Sequence, residues 1–397
     1  MQLLADEPIL RRLSIIQLIA YFAAWFSNVA IYTLLIQMEV NPGIIALTAA
    51  LHFFPGVLQA PFSGVLIDRV APKRLMLILM LIEIAGTLPL MLIEDISQLW
   101  LLFTLVFIRM GASSFYFTLE MSLLPRILKA GDLKLANEIH SVIWSFSYTF
   151  GMAISGFVVY TVGVKIAFLL DALLFVGAFF MLIPILFPEQ AVHKKESYWK
   201  MMQESFNYVR SKPLIIHLIL LHSFVGFTAF DALVAMMVNS YYAPLIATAL
   251  AIGLLHSFRA LGLVIGPVVL GKWISNRRLS ILFIFQAFSI FLWAAVMDNF
   301  YLSLGASVIV GFGTTTLWSY TYTLLQLHTD EVFYGRIVAY NDMFFLLSVA
   351  LISLLIGVLA ENKISLQMIT MALGSGFIVA TLYYGWIQKH HILKEAR

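Results

Sequence analysis

The sequence predicts an all-α membrane protein that crosses the bilayer twelve times. Of its 397 residues, 61% are hydrophobic and 11% are charged, whereas a soluble domain carries about 25% charged residues. Such a chain lacks the polar residues to cover its own surface in water, and its high hydropathy excludes a disordered chain. Because one span needs roughly 20 apolar residues, the apolar content corresponds to about 12 spans.

Charged residues and proline–glycine clusters divide the chain into twelve apolar segments, numbered 1 to 12 in chain order. Each segment is expected to be a helix, since lipid offers backbone groups no other hydrogen-bond partner. No small-residue cleavage site follows segment 1, so it is expected to be retained as a span. The predicted segments are residues 13–36, 44–67, 75–93, 98–121, 138–161, 164–187, 214–238, 245–270, 279–297, 302–325, 338–360 and 366–387.

The positive charges predict how the chain is oriented. All but four of the 24 lysine and arginine residues lie in connections on the same side as the two termini. The exceptions are Lys165 and Lys363 on the opposite side, and Arg109 and Arg259 inside segments. The positive-inside rule therefore predicts that both termini are cytoplasmic. The net charge of +3 is too small to suggest a nucleic-acid partner, and a chain without cysteine has no disulfide or thiolate metal site.

The longest connection predicts the domain organisation. Residues 1–187 are expected to form an N-terminal six-helix bundle, 188–212 a cytoplasmic linker, and 213–397 a C-terminal six-helix bundle. Within the linker, residues 198–210 carry apolar side chains at helical spacing, which predicts an amphipathic helix on the membrane interface. A solvated linker helix is the alternative. The apolar positions are Trp199, Met202, Phe206 and Val209.

An internal repeat indicates that the two bundles are duplicated halves. At an offset of 204 residues, Leu51 and His52 recur as Leu255 and His256. Further matches at the same offset are Phe54 with Phe258, Asn137 with Asn341, and Glu138 with Asp342. Such a repeat predicts two pseudo-symmetric bundles related by an axis along the membrane normal.

The connection after segment 2 carries a recognisable motif, formed by Gly64, Asp68, Arg69, Lys73 and Arg74. Its spacing is similar to the signature G-x-L-x-D-R-x-x-x-[RK]-[RK] of the major facilitator superfamily. The resemblance implies that the motif closes the cytoplasmic side by contact with the start of segment 11. Asp68 is suited to that role because a carboxylate is stabilised at a helix N-terminus. Alternatively, the basic residues of the motif only fix topology.

Three further stretches resemble one branch of that superfamily, the bacterial exporters that include enterobactin and macrolide efflux proteins. They are Leu123 to Asn137, Trp199 to Pro213, and Gln326 to Ile337. The resemblance implies the major facilitator fold and alternating access in a bacterial inner membrane. It also implies a monomer without a cofactor that exports an organic amphiphile, such as a drug or siderophore, by proton antiport.

Ionisable residues inside the segments are expensive in lipid and are therefore candidates for function. Asp231 is the acid of segment 7 and is predicted to be the proton site; the alternative is a fixed ion pair. Arg109 in segment 4 is predicted to be its electrostatic partner or an anion contact, and the resemblance implies a part in proton coupling. The alternative for Arg109 is a fixed interhelical salt bridge. Glu83 and Asp171 are expected to serve helix pairing and structure.

The remaining candidates are predicted to line a substrate cavity, since an amphiphile needs aromatic walls and a few hydrogen-bonding groups. His52 and His256 could titrate, bind a divalent metal together with Asp231, or simply bond to neighbouring helices. Hydroxyl and small residues could equally serve helix packing. The predicted cavity residues are Trp25, Asn28, Tyr32, His52, Ser113, Phe227, His256, Arg259, Thr315, Ser319 and Tyr322.

The sequence therefore predicts a secondary active exporter of an organic amphiphile, with protons as the coupling ion. A divalent metal exporter is the alternative within transporters, and a membrane sensor or scaffold without transport is a second alternative. The chain contains no Walker-type nucleotide motif and no recognisable nucleophile–base or metal motif. An ATP-driven pump and an enzyme are accordingly not expected.

Overall fold

The computed structural model describes residues 2–129, 132–187 and 198–393, which form helices and connections without a β-strand. These residues contain fifteen α-helices. They are α1 (Gln2–Asp6), α2 (Pro8–Gln37), α3 (Pro42–Arg69), α4 (Pro72–Thr87), α5 (Leu99–Ile127), α6 (Leu133–Val162), α7 (Val164–Leu182), α8 (Tyr198–Ser211), α9 (Pro213–Ser223), α10 (Asp231–Met237), α11 (Thr248–Leu270), α12 (Asn276–Val296), α13 (Phe300–His328), α14 (Tyr334–Glu361) and α15 (Leu366–His390).

Within the described residues, twelve helical stretches are long and apolar enough to cross a membrane. The predicted number of spans is thereby confirmed, with α9 and α10 sharing one stretch, Pro213–Tyr242. The predicted cytoplasmic position of both termini stays a prediction.

Proline and glycine fix where several spans begin and end. Pro8, Pro42, Pro72 and Pro213 are the first residues of α2, α3, α4 and α9, a position where the missing amide hydrogen breaks no helical hydrogen bond. Gly163 alone separates α6 from α7 and has a φ of 86°. Residues with a side chain rarely adopt that conformation, so glycine permits the abrupt turn.

Segment 7 is not the continuous helix that the sequence predicted. After α9 the chain forms a 3₁₀ turn at Phe224–Thr228, and after α10 it forms a π-helical turn at Val238–Tyr242. Asp231 is the first residue of α10 and therefore lies directly after the break. Breaks of this kind free backbone groups that must find other partners at membrane depth.

Neighbouring helices supply those partners. Arg259 of α11 donates from Nη2 to the Thr228 carbonyl oxygen over 3.2 Å, and its guanidinium carbon lies 5.0 Å from the centre of the Phe230 ring. Gly226 packs so closely on α14 that an added Cβ atom would lie 2.6 Å from the Ser348 hydroxyl oxygen. The break is thus held by close packing and by a charged donor.

Contacts divide the chain into two units whose boundaries differ from the predicted bundles. The prediction divided the chain at the linker; by contact, most of α3 belongs with the second half of the chain and the first part of α11 with the first half. Unit 1 is Met1–Val40, Phe62–His193 and Leu245–Ser257; unit 2 is Asn41–Pro61, Lys194–Pro244 and Phe258–Arg397.

Close backbone contacts account for both exchanged stretches. In unit 1, a Cβ atom at Gly253 of α11 would lie 2.6 Å from the Met152 carbonyl oxygen and 3.1 Å from Gly156 Cα, both on α6. In unit 2, a Cβ atom at Gly357 of α14 would lie 2.3 Å from the Ala46 Cβ atom of α3. Small residues at such crossings favour association in a membrane, where lipid gives apolar side chains no reason to cluster.

The tightest contact of unit 2 joins α11 to α13. A Cβ atom at Gly262 would lie 2.1 Å from the Val308 carbonyl oxygen, and one at Gly266 would lie 1.9 Å from the Phe312 carbonyl oxygen. These two glycines are one helical turn apart and present one flat surface. Any larger residue would therefore have to push two backbones apart.

The linker contains the predicted helix, α8, and it is docked on unit 2. Tyr208 is buried and stacks on Phe333 with ring centroids 4.1 Å apart, while its hydroxyl accepts the Asp330 amide over 2.8 Å. Lys212 donates to the Asp330 carboxylate over 2.7 Å, and this hydrogen bond raises the pKa of the lysine. Phe206 remains 64% exposed. Its apolar side chain is therefore available to contact the membrane interface, the position that the sequence predicted for this helix. The rest of the predicted linker, residues 188–197, lies outside the described chain.

We predict that Gly262→Ala lowers the thermal stability of the purified protein. The methyl group would meet backbone atoms, and overpacking of this kind costs about 1–3 kcal/mol. The matched control is Gly305→Ala on α13, where an added Cβ atom has nothing within 4 Å and alanine improves helix propensity by up to about 1 kcal/mol. Thermal unfolding followed by size-exclusion chromatography measures both; equal melting temperatures would contradict the close contact.

Candidate functional site

An arginine without exposed surface lies among three helices of unit 1. Arg109 of α5 donates from Nε to Glu83 Oε2 of α4 over 3.1 Å, and from Nη2 to Asp171 Oδ2 of α7 over 2.9 Å. Ser27 of α2 also donates to Asp171. Gly86 leaves room for the arginine stem, since a Cβ atom there would lie 2.5 Å from Arg109 Cγ. We call Glu83, Arg109 and Asp171 the arginine cluster.

The arginine cluster has two carboxyl groups for one guanidinium. The side chains of Glu83 and Asp171 are 3% and 0% exposed, so water does not screen their charges. One cation balances one carboxylate, and a second carboxylate would be an uncompensated buried charge of high cost. Within the described residues, Glu83 Oε1 and Asp171 Oδ1 have no hydrogen-bond partner. The arrangement is therefore suited to hold one exchangeable proton.

The predicted role of Arg109 as the partner of Asp231 stays a prediction, and the structure places other carboxylates beside this arginine. The carboxylates that Arg109 contacts come from the adjacent helices of its own unit, α4 and α7. That is the interhelical salt bridge which the sequence left open as the alternative. The expectations for Glu83 as a helix-pairing residue and for Asp171 as a structural residue fit the same contacts.

Sequence analysis missed a third buried carboxyl group in unit 1. Glu120 of α5 is 3% exposed and accepts a hydrogen bond from the Tyr21 hydroxyl over 3.1 Å. Its position near the end of predicted segment 4 made it look like an ordinary interfacial charge. Tyr21 also lines a small internal cavity together with Glu83. The other residues lining that cavity are Ala20, Leu79, Met80, Ser113, Tyr116 and Phe175.

The predicted cavity face of segment 1 is largely buried. Asn28 and Tyr32 are buried, at 5% and 1% exposure. Trp25 packs on α6, with its ring centroid 4.5 Å from Tyr148 in a tilted arrangement and 5.9 Å from Trp144 in an edge-to-face one. The prediction that Trp25, Asn28 and Tyr32 line a substrate cavity stays a prediction.

The two histidines of the internal repeat have different surroundings. His52, in unit 2, donates from Nδ1 to the Thr48 carbonyl oxygen over 2.7 Å. His256, in unit 1, has no exposed surface, and its Nδ1 lies 3.3 Å from the Tyr148 hydroxyl. Within the described residues, no group of three or more histidine, aspartate or glutamate side chains is placed to hold a metal ion. The set of His52, His256 and Asp231 thus gains no support as a metal site.

In unit 2 the predicted residues lie around the break in segment 7. Asp231 is half-buried, and Arg259 bonds to Thr228, three residues earlier. Phe227 lies against α15, where a Cβ atom at Gly376 would come within 2.3 Å of its ring. Its ring centroid also lies 6.4 Å from that of Phe377 on α15. Phe227 is half-buried, and its place in a substrate cavity stays a prediction.

The predicted face of segment 10 contains an exposed aromatic pair. Tyr322 stacks on Trp318 with ring centroids 4.9 Å apart, and Trp318 is 38% exposed. Ser319 is exposed and Thr315 is half-buried on the same helix. Behind the pair lies His222 of α9, which has no exposed surface and bonds through Nδ1 to Thr321 over 2.8 Å; sequence analysis missed it.

The motif after segment 2 is described only in part. The side chains of Gly64, Asp68 and Arg69 lie outside the described part of the chain. Lys73 donates to the Ile183 carbonyl oxygen, and Arg74 is exposed. The gating role of the motif therefore stays a prediction.

Comparison with known families decides the class of protein. The family model described as Major Facilitator Superfamily matches residues 13–245. The chain belongs to the Major Facilitator Superfamily. It is similar to two transporters of Bacillus subtilis (strain 168). The uncharacterized MFS-type transporter YfiS is 25% identical over 210 residues, which cover 50% of this chain and 49% of YfiS. YkuC, described in the same words, is 24% identical over 188 residues, which cover 47% of this chain and 44% of YkuC.

The chain thus spans about half the length of the curated relatives it matches.

Solved structures show the major facilitator fold over nearly the whole chain. The nucleoside transporter NupG has a TM-score of 0.75 at 10% identity and covers 96% of this chain and 100% of its own. The POT family transporter PepTSo scores 0.75 at 12% identity, covering 97% and 98%. A D-xylose–proton symporter scores 0.74 at 10% identity, covering 94% and 96%.

We predict that Arg109→Gln destabilises the protein by about 3–5 kcal/mol near neutral pH, because removal of one partner leaves uncompensated buried carboxyl groups. The loss of stability should be smaller at low pH, because those carboxyl groups take up protons there. Lys165→Gln is the control: Lys165 pairs with Glu94 at the surface, and exposed pairs contribute at most about 1 kcal/mol. Thermal unfolding across pH measures both, and a pH-independent loss in Arg109→Gln would contradict the charge balance.

Proposed function

We propose that this Major Facilitator Superfamily protein exports a small organic amphiphile by alternating access, with protons moving in the opposite direction. It would act as a monomer in a bacterial inner membrane, with both termini in the cytoplasm. The observation that carries proton coupling is the arginine cluster, in which two buried carboxyl groups share one guanidinium.

Proton coupling follows from the charge balance of that cluster. With one carboxyl group protonated, the cluster is neutral; with both ionised, it carries one negative charge in a region of low dielectric. Loss of the proton is then favoured only in a conformation that admits water or another cation. The protonation state of such a group therefore depends on the conformation of the transporter, and coupled transport requires that dependence. Asp231, next to the break in segment 7, is proposed as the proton site of unit 2.

Aromatic surfaces with few hydrogen-bonding groups support an amphiphilic substrate. Unit 1 offers the half-buried Trp25 and Trp144, and unit 2 offers Trp318 stacked on Tyr322. Flat aromatic surfaces bind rings and alkyl groups of varied shape, whereas a sugar would need many more donors and acceptors. The outward direction rests on the resemblance to exporters, and so does closure of the cytoplasmic side by the Asp68 motif.

Reconstituted vesicles test this function. The protein is placed in liposomes with a pH-sensitive dye in the lumen, and a fluorescent aromatic cation such as ethidium and a neutral aromatic dye are added in turn. We expect at least one dye to drive a proton flux opposite to its own movement. Absence of flux with every dye, or flux in the same direction as the dye, would contradict proton-coupled export.

Glu83→Gln is predicted to abolish that proton flux while the dye still binds. The remaining carboxylate would pair with Arg109 permanently, and the arginine cluster would have no proton to exchange. Glu94→Gln is the matched control, because Glu94 is exposed and pairs with Lys165 at the surface. Dye binding by fluorescence and proton flux are measured on the same preparations. Unchanged flux in Glu83→Gln would remove the cluster from the coupling mechanism.

A further inference from the structure

Glu120 is a buried carboxyl group for which the arginine cluster offers no cation. It lies on α5 inside the candidate span Ile96–Leu124, is 3% exposed, and accepts from the Tyr21 hydroxyl over 3.1 Å. Among the described residues, no ion pair joins it to a lysine, arginine or histidine, since Arg109 is committed to Glu83 and Asp171. A neutral donor does not compensate a full charge at this depth. Glu120 is therefore a carboxyl group that needs a proton.

The groups around Glu120 come from three helices. Tyr21 of α2 is its hydrogen-bond donor, and Tyr116, one turn earlier on α5, is close enough to interact with it electrostatically. His140 of α6 lies behind Tyr21, with ring centroids 5.8 Å apart, and accepts a hydrogen bond from Gln17. None of these described groups carries a fixed positive charge.

A cavity joins this region to the arginine cluster. Tyr21, Tyr116, Ser113 and Glu83 of α4 all line it. The volume open to the centre of a water molecule is ≈ 10 Å³, about what one water needs. The Tyr116 hydroxyl is buried without a hydrogen-bond partner in the described residues, and so is Glu83 Oε1. Two unsatisfied polar atoms thus border a space that one water fits.

We propose that Glu120 is a second proton-binding site of unit 1, connected to Glu83 by a relay through Tyr21, the cavity and Tyr116. In the forward step Glu83 starts as a carboxylate, and the Tyr21 hydroxyl turns its hydrogen away from Glu120 towards the cavity. The Glu120 carboxyl group then donates its proton to the Tyr21 oxygen, Tyr21 passes its own hydrogen on through a water in the cavity and Tyr116, and Glu83 Oε1 receives a proton. Glu120 becomes a carboxylate and Glu83 a neutral acid, so the proton number of unit 1 is unchanged. Return of the proton reverses both changes.

This relay refines the proposed function and rests on it for its use in transport, but the proton on Glu120 can be measured without transport. Infrared spectroscopy of the purified full-length protein detects the carbonyl stretching band of protonated carboxyl groups. We expect such a band near neutral pH, and we expect Glu120→Gln to remove part of it. Glu94→Gln, which alters an exposed glutamate, should leave the band unchanged. An unchanged band in Glu120→Gln would overturn the site.

Glu120→Asp covers the case in which Glu120→Gln fails to fold. The shorter acid keeps a carboxyl group, so a protonated site predicts a band that shifts without disappearing. A band identical to that of the wild-type protein would also overturn the site.

Tyr116→Phe tests the relay itself, because it removes the hydroxyl and keeps the ring. We expect a several-fold slower proton flux in vesicles, with unchanged ethidium binding. Tyr160→Phe on α6, where the side chain is 58% exposed, should not change the flux. An unchanged flux in Tyr116→Phe overturns the relay. A wild-type protein without any dye-driven flux overturns the proposed function, and the infrared band then still decides whether Glu120 holds a proton.

Discussion

The energetic cost of charge in a lipid-embedded helix bundle governs the interior of this protein. Arg109 has no exposed surface, and an isolated guanidinium at mid-membrane costs about 2.5–3.5 kcal/mol even on insertion scales. Its compensation fixes the relative placement of α4, α5 and α7, because Glu83 and Asp171 must both reach it. The guanidinium thus has two buried carboxyl groups to balance, one more than its single charge neutralises.

Much of the fold could be predicted from composition and charge, since twelve apolar segments and their flanking lysines and arginines follow from transfer energies alone. The break in segment 7 was not predicted, because glycine and threonine, here Gly226 and Thr228, are common inside membrane helices. The cause of the break is packing against α14. The ion pairs of Arg109 join positions 26 and 62 residues away, and no periodicity encodes such partners. Glu120 and His222 were not candidates from the sequence alone. They become candidates because the structure shows that both side chains are buried.

The structural likenesses separate what the fold determines from what the side chains determine. NupG, PepTSo and the D-xylose–proton symporter share the path of the chain at 10–12% identity, and the descriptions of NupG and the symporter name different substrates, nucleosides and D-xylose. The fold alone therefore does not determine which substrate is transported. Close glycine contacts, such as that of Gly262 on α11 with α13, require backbone proximity and a small residue.

The order of the three residues in the arginine cluster also matters while the chain is being made. Glu83 precedes Arg109, and Asp171 follows it, so a nascent chain offers the arginine one acid before the second exists. The hairpin of α4 and α5 can enter the bilayer as a neutral pair, and α7 then adds its aspartate to a helix pair already in place. Co-translational insertion of α5 accordingly depends on the helix before it, whereas the surplus carboxyl group arrives last.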